Sequence, residues 1–222
     1  MKAAPLPSPC LDQDKARGLR LCGLSFLSNG PYSLDILPGE CIGLTGRSGV
    51  GKTQLLRAVA DVISHRGDCL LDGTACSAFE APVWRRTVAM VVAESCWWHD
   101  TVSPHFAGGM EEGQCRDWLM KMRLPLDAGG WRVSRLSTGE RQRLSLVRSL
   151  MNTPRVLLLD EPTSALDREM VQVVEGIIAD ICEKKQTICL WVSHDREQLI
   201  RMANRIYRVE AQGLVEEVNE CR

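Results

Sequence analysis

Eight consecutive residues, Gly46-Arg47-Ser48-Gly49-Val50-Gly51-Lys52-Thr53, fit the spacing G-x-x-x-x-G-K-[ST] without a gap. Glycines at these positions let a backbone curl until successive N–H groups point inward at phosphate oxygens. Lys52 would reach the β- and γ-phosphates of a nucleoside triphosphate, and Thr53 would offer its hydroxyl to Mg²⁺. Gln54 follows at the start of a helical pattern, so the helix N-terminus adds partial positive charge beneath the phosphates. Much later, Asp160 ends the apolar run Val156 to Leu159, and Glu161 comes next. One carboxylate there can support the metal, while the other orients or deprotonates an attacking water. His194, in Ser193-His194-Asp195 after another apolar run, is a third candidate; taken alone it fits an ordinary core or surface role equally well.

These groups need elements to hold them. Glu40 to Thr45 reads as a short buried strand and Gln54 to Asp61 as a helix, the strand–loop–helix context a phosphate loop requires. Before them, Leu19 to Ile36 alternates as two strands broken by Ser28-Asn29-Gly30-Pro31. After them come a hairpin-type strand at Cys69–Leu71 and a buried strand expected over Arg86 to Val92. An amphipathic helix is expected from Glu111 to Arg123, and a capped helix follows Ser137. Arg155–Asp160 and Thr187–Ser193 read as doubly buried strands, separated by a helix from Leu166 to Glu183. A helix from Arg196 to Asn204 and edge strands at Ile206–Val209 and Leu214–Val218 close the pattern. Strands alternating with helices predict an α/β fold with a mostly parallel sheet and right-handed crossovers.

With 222 residues there is room for one large domain, expected over 18–222 behind a flexible tail at 1–17 interrupted by Pro5, Pro7 and Pro9. A formal net charge of -1 provides no basic field for nucleic acid. No apolar run approaches the roughly 20 residues of a membrane-spanning helix. The 10 cysteines are scattered singly without a CxxC pair, which predicts reduced, mostly buried thiols and a cytosolic setting.

Taken together, GRSGVGKT, LSTGERQRLSLVRSL, VLLLDEPTSALD and LWVSHD resemble the ATP-binding cassette (ABC) ATPases in order and spacing, over about residues 19 to 219. The resemblance implies a RecA-like P-loop fold with an antiparallel edge subdomain and a small helical subdomain over about 94–150. It implies ATP and Mg²⁺ as ligands, held by 46–54, with Asp160 supporting the metal, Glu161 as catalytic base and His194 contacting the γ-phosphate. Ser137 and Gly139 are similar to the family signature that closes on a nucleotide held by a second copy, and Asp167 belongs to the loop that crosses between copies. The expected partners are therefore a second cassette, as homodimer or pair, and a membrane permease. The expected location is the cytoplasmic face of a bacterial inner membrane. Small cassettes associated with metal or iron export are the nearest in look. A soluble non-transport ATPase and a weakly hydrolysing ATP switch are the alternatives.

Departures from the family pattern are informative. Thr138 and Glu140 replace a glycine and a glutamine of the signature. Ala93 stands where a metal-touching glutamine is usual, leaving Glu94 beside it as a candidate metal residue reached by a shifted loop. Ser28 occupies a position where an adenine-stacking aromatic is common, with Tyr32 or Phe26 as candidate substitutes. Trp97-Trp98 falls where the family receives its membrane partner, and adjacent large aromatics suit an interface.

Overall fold

The computed structural model describes residues 17–106, 108–110 and 113–217. The expected tail at 1–17, the start of the 111–123 helix and the final Val218 therefore fall wholly or partly outside the described residues.

Two sheets form the frame. The larger has six strands in the order β10-β9-β3-β8-β7-β6, comprising β3 (Cys41–Thr45), β6 (Val88–Val91), β7 (Val156–Asp160), β8 (Ile188–Val192), β9 (Arg205–Glu210) and β10 (Gly213–Glu217). All its pairings are parallel except β9 with β10. The smaller sheet is antiparallel and joins β1 (Leu19–Phe26), β2 (Asn29–Ile36), β4 (Arg66–Leu71) and β5 (Thr74–Ala75).

The central strands lack polar alternation because both of their faces are covered. Along β7, Val156 and Leu158 enter one core and Leu157 and Leu159 the other. β8 repeats this, with Ile188, Leu190 and Val192 on one side and Cys189 and Trp191 on the other. The first core lies between the two sheets and includes Leu55, Leu56 and Val59 of α1 (Lys52–Val59). The second is filled by α4 (Thr138–Leu150), α5 (Arg168–Lys185) and α6 (Arg196–Met202), together with Trp118 and Leu119 of α3 (Gly113–Lys121). The helical segment over 94–150 thus shares its apolar contacts with the sheet rather than building a separate core. Arg143 of α4 stitches the two helices further by donating to the carbonyls of Met122 and Arg123, just past the end of α3.

One expected element changes identity. Arg86 and Thr87 belong to α2 (Ala81–Thr87), and the strand starts only at Val88. Pro82 in the first helical turn tolerates the missing N–H there. The wholly buried Trp84 then anchors the helix, its Nε1 donating to the Val59 carbonyl at 3.0 Å.

Eight described cysteines are free thiols, six of them buried, as the reduced-thiol expectation required.

Candidate functional site

At the carboxyl end of β3 the chain turns through Gly46, Gly49 and Gly51, all at positive φ (137°, 77° and 109°). Two of these cannot be replaced without conflict. A Cβ at Gly46 would lie 2.8 Å from the Val209 carbonyl oxygen, and one at Gly51 only 2.5 Å from Asn29 Nδ2. Asn29 explains the second approach, since its amide donates to the Val50 carbonyl at 2.7 Å and props the loop from β2. Sequence reading placed Asn29 in a turn but missed this function.

Lys52 is buried, and its ammonium donates to the carbonyls of Gly46 (2.8 Å) and Arg47 (3.2 Å). The loop's own oxygens thereby satisfy a cation whose reach covers the mouth of the loop. Arg47, Ser48 and Gly49 are exposed, while Thr53 and Gln54 are half-buried in the first turn of α1.

Asp160 is buried at the tip of β7. Glu161, the next residue, adopts φ 50°, a left-handed conformation uncommon for a non-glycine residue. Its N–H is fixed by the Val192 carbonyl at 3.0 Å. Its Oε1 is buried without a hydrogen-bond partner, and His194 Nε2 stands 3.7 Å away. Burial pushes this carboxyl above the ordinary glutamate range and Asp160 adds to the rise, while His194 and Lys52 oppose it. An unpaired buried carboxylate oxygen facing an imidazole suits a base awaiting a water proton. The residues fit Mg²⁺ and a triphosphate: an acid-tipped strand, a hydroxyl at Thr53, a loop of inward amides and a lysine held only by backbone.

Two buried glutamines, neither singled out in the sequence, brace the acid-bearing loops. Gln142 of α4 donates to the Glu161 carbonyl at 2.8 Å and accepts from Ala165 N–H at 3.1 Å. Gln198 of α6 accepts from Ser193 Oγ at 3.0 Å and exchanges hydrogen bonds with Thr163 Oγ1. It also donates to Glu175 Oε1 at 3.0 Å, joining the loops before His194 and after Glu161 to α5. Their polarity inside apolar helix faces was the available signal, since a buried amide demands partners.

The signature residues lie apart from this cluster. Ser137 is exposed at the N-cap of α4 and closes a capping box, its Oγ accepting from Glu140 N–H at 3.2 Å while Glu140 accepts from Ser137 N–H at 2.8 Å. Glu140 in place of the usual glutamine is thereby accounted for as a helix-start residue. Asp167 likewise caps α5, accepting from Met170 N–H at 2.9 Å. Gly139 lets α4 approach the 161–165 loop, for a Cβ there would sit 3.1 Å from the Ala165 carbonyl oxygen.

The aromatic substitutes fail structurally. Tyr32 and Phe26 are 0% and 3% exposed and stack on each other, so neither offers a face to a base; Leu27, at 92%, is the exposed apolar residue of that turn. Glu94 is exposed on the bend after β6, and among the described residues no hydrogen bond or ion pair joins it to Thr53 or Asp160. Trp97 and Trp98 divide: the first packs against the core and the second is 66% exposed. His105 organises them by accepting from Trp98 N–H (2.9 Å) and His99 N–H (3.0 Å), and Arg148 lies over both indole rings.

A parallel sheet carrying a glycine loop at one strand and a carboxylate at the tip of another defines a P-loop nucleotide-binding fold. The comparisons narrow it. Residues 30–164 match the family model described as ABC transporter. The cyclolysin secretion/processing ATP-binding protein CyaB of Bordetella pertussis is 34% identical over 203 residues, covering 85% of this chain and 28% of its own length. The aliphatic sulfonates import ATP-binding protein SsuB of Cupriavidus necator is 34% identical over 195 residues, covering 86% and 63%. The spermidine/putrescine import ATP-binding protein PotA of Bacillus cereus is 31% identical over 198 residues, covering 85% and 60%. A dimeric ATP-binding cassette with bound ADP and Pi superposes with TM-score 0.77 at 18% identity, covering 92% of this chain and 100% of that one. A bacterial Atm1-family ABC exporter with ATP bound gives 0.79 at 21%, covering 89% and 38%. The chain belongs to the ABC transporter ATPase family. It spans less than two thirds of the length of these three curated relatives.

Proposed function

We propose that this chain binds and hydrolyses ATP, and that closure of two copies around two nucleotides drives a membrane permease. The observation that carries the reading is the convergence of Lys52, Asp160, Glu161 and His194 on one loop mouth, with Ser137 exposed elsewhere for a second copy. Lys52 exchanges its two backbone carbonyls for β- and γ-phosphate oxygens. Residues 46–54 offer N–H groups, and Thr53 with Asp160 would hold Mg²⁺, which neutralises charge on the β- and γ-oxygens when bound. Glu161 accepts the water proton at its unpaired Oε1, and His194 orients that carboxylate and contacts the γ-phosphate. Ser137 and Gly139 of the second copy close over it, with Asp167 at the crossing loop. Glu94 would join the metal only through a shift of its bend.

Among the described residues no helix is long and apolar enough to cross a membrane, which suits a peripheral subunit on the cytoplasmic face. The named relatives divide between secretion and import, so metal or iron export rests on sequence resemblance alone. ATP turnover by the purified chain, with and without Mg²⁺ and in Lys52→Ala, tests the site. A loss of about 100-fold or more in the variant is expected from removing one preorganised charge; turnover unchanged by Lys52→Ala would refute it. Stimulation by a membrane protein encoded next door tests the transport half, and the absence of stimulation by any permease would refute that half.

A further inference from the structure

Glu161 holds a conformation that its own chemistry does not favour, and the groups that fix it lie on another helix. Gln142 is 1% exposed and sits on α4, the helix whose N-cap is Ser137. Its side-chain amide closes on both ends of one short loop. Nε2 donates to the Glu161 carbonyl at 2.8 Å and lies 3.3 Å from Ser164 Oγ, while Oε1 accepts from Ala165 N–H at 3.1 Å. Only one amide orientation satisfies both ends, because the flipped group would set oxygen against the Glu161 carbonyl and N–H against N–H. Ser164 Oγ donates to the same Glu161 carbonyl at 3.1 Å, and Gly139 brings the first turn of α4 against Ala165. The turn bearing the candidate base is thus clamped, through buried polar bonds, to the helix bearing the signature.

We propose that Gln142 is a positioning residue for hydrolysis, one that transmits the placement of α4 to the backbone of Glu161. The proposal rests on the hydrolytic reading above and deepens it. Within one chain, Ser137 serves a partner's nucleotide and Glu161 its own. A rigid link between them makes the geometry of one composite site depend on closure of the other. A buried amide with both ends satisfied suits this task, since loss of either bond leaves a buried backbone group unpaired.

The test uses the full chain with Gln142→Leu, which removes both bonds, and Gln142→Glu, which keeps the size and the acceptor for Ala165 but sets oxygen against the Glu161 carbonyl. ATP bound per chain is measured first, so that any misfolded fraction is counted. Per ATP-binding chain, kcat is expected to fall about 10- to 100-fold in both variants, as for a misplaced catalytic group, with KM within about twofold. Hydrogen exchange at Ser164 and Ala165 in ATP-free protein is expected to accelerate by about 10-fold or more. Two results would overturn the proposal: unchanged exchange, or a kcat loss fully explained by fewer ATP-binding chains. Absent turnover in the unaltered chain would instead remove the hydrolytic reading itself, while the exchange arm would still report whether the clamp exists.

Discussion

At Glu161 two demands meet, a strained backbone and a carboxylate oxygen buried without a partner. Strain of this kind persists only where surrounding structure over-determines it, as the Val192 and Gln142 bonds do. Replacing Glu161 with Gln keeps the shape and removes the base; turnover should fall by about 10²- to 10⁴-fold while ATP binding persists. A second residue-level consequence concerns Glu140. The Ser137 backbone and hydroxyl bonds hold its carboxyl below the ordinary glutamate range. A depressed folded value means that the unfolded chain binds more protons in the acidic window. The stability contribution is therefore complete above the unfolded value and lost as pH falls through the folded one. Glu140→Ala should cost about 1 kcal/mol near pH 7, in the range of lost caps, with the difference from wild type shrinking as pH falls below the usual carboxylate range. Denaturant melts at several pH values would measure this.

Among the elements, the phosphate loop depends on a neighbour that its motif does not mention. Asn29 on β2 holds the Val50 carbonyl, and Gly51 is shaped to admit it. Gly51→Ala adds a Cβ at φ 109° against that amide. It should destabilise the loop by about 1–3 kcal/mol and abolish measurable ATP binding by calorimetry. Asn29→Ala should raise the Kd for ATP severalfold, about 1 kcal/mol for one lost hydrogen bond, with little change in melting temperature. The strands that carry chemistry were legible because burial on both faces writes an unbroken apolar run, as in Val156 to Leu159. The stretch 81–87 was not, because a short helix anchored by one tryptophan has too few turns to show a period, and its Arg86-Thr87 end merges with the strand. Lys52, Asp160, Glu161 and His194 were legible through spacing; Asn29, Gln142 and Gln198 were not, since each acts through contacts set by tertiary packing. The aromatic substitutes failed for a related reason: sequence places Tyr32 and Phe26 near the nucleotide, but the packing between the sheets claims their rings.

The whole molecule presents an asymmetry. Lysine, acids and histidine converge at one place, while Ser137, at the signature end of α4, is exposed at another, so a single chain holds two halves of two different sites. Gln142 ties those halves together from inside. A mixture of Ser137→Arg and Glu161→Gln chains would then form a dimer with one unaltered composite site and one doubly altered site. Partial turnover should return, whereas each variant alone stays near background. The most direct measurement is the mass in solution of Glu161→Gln with Mg²⁺ and ATP, by light scattering, with and without nucleotide. The account predicts a monomer that becomes a dimer with two ATP bound. A monomer persisting at saturating ATP would contradict it.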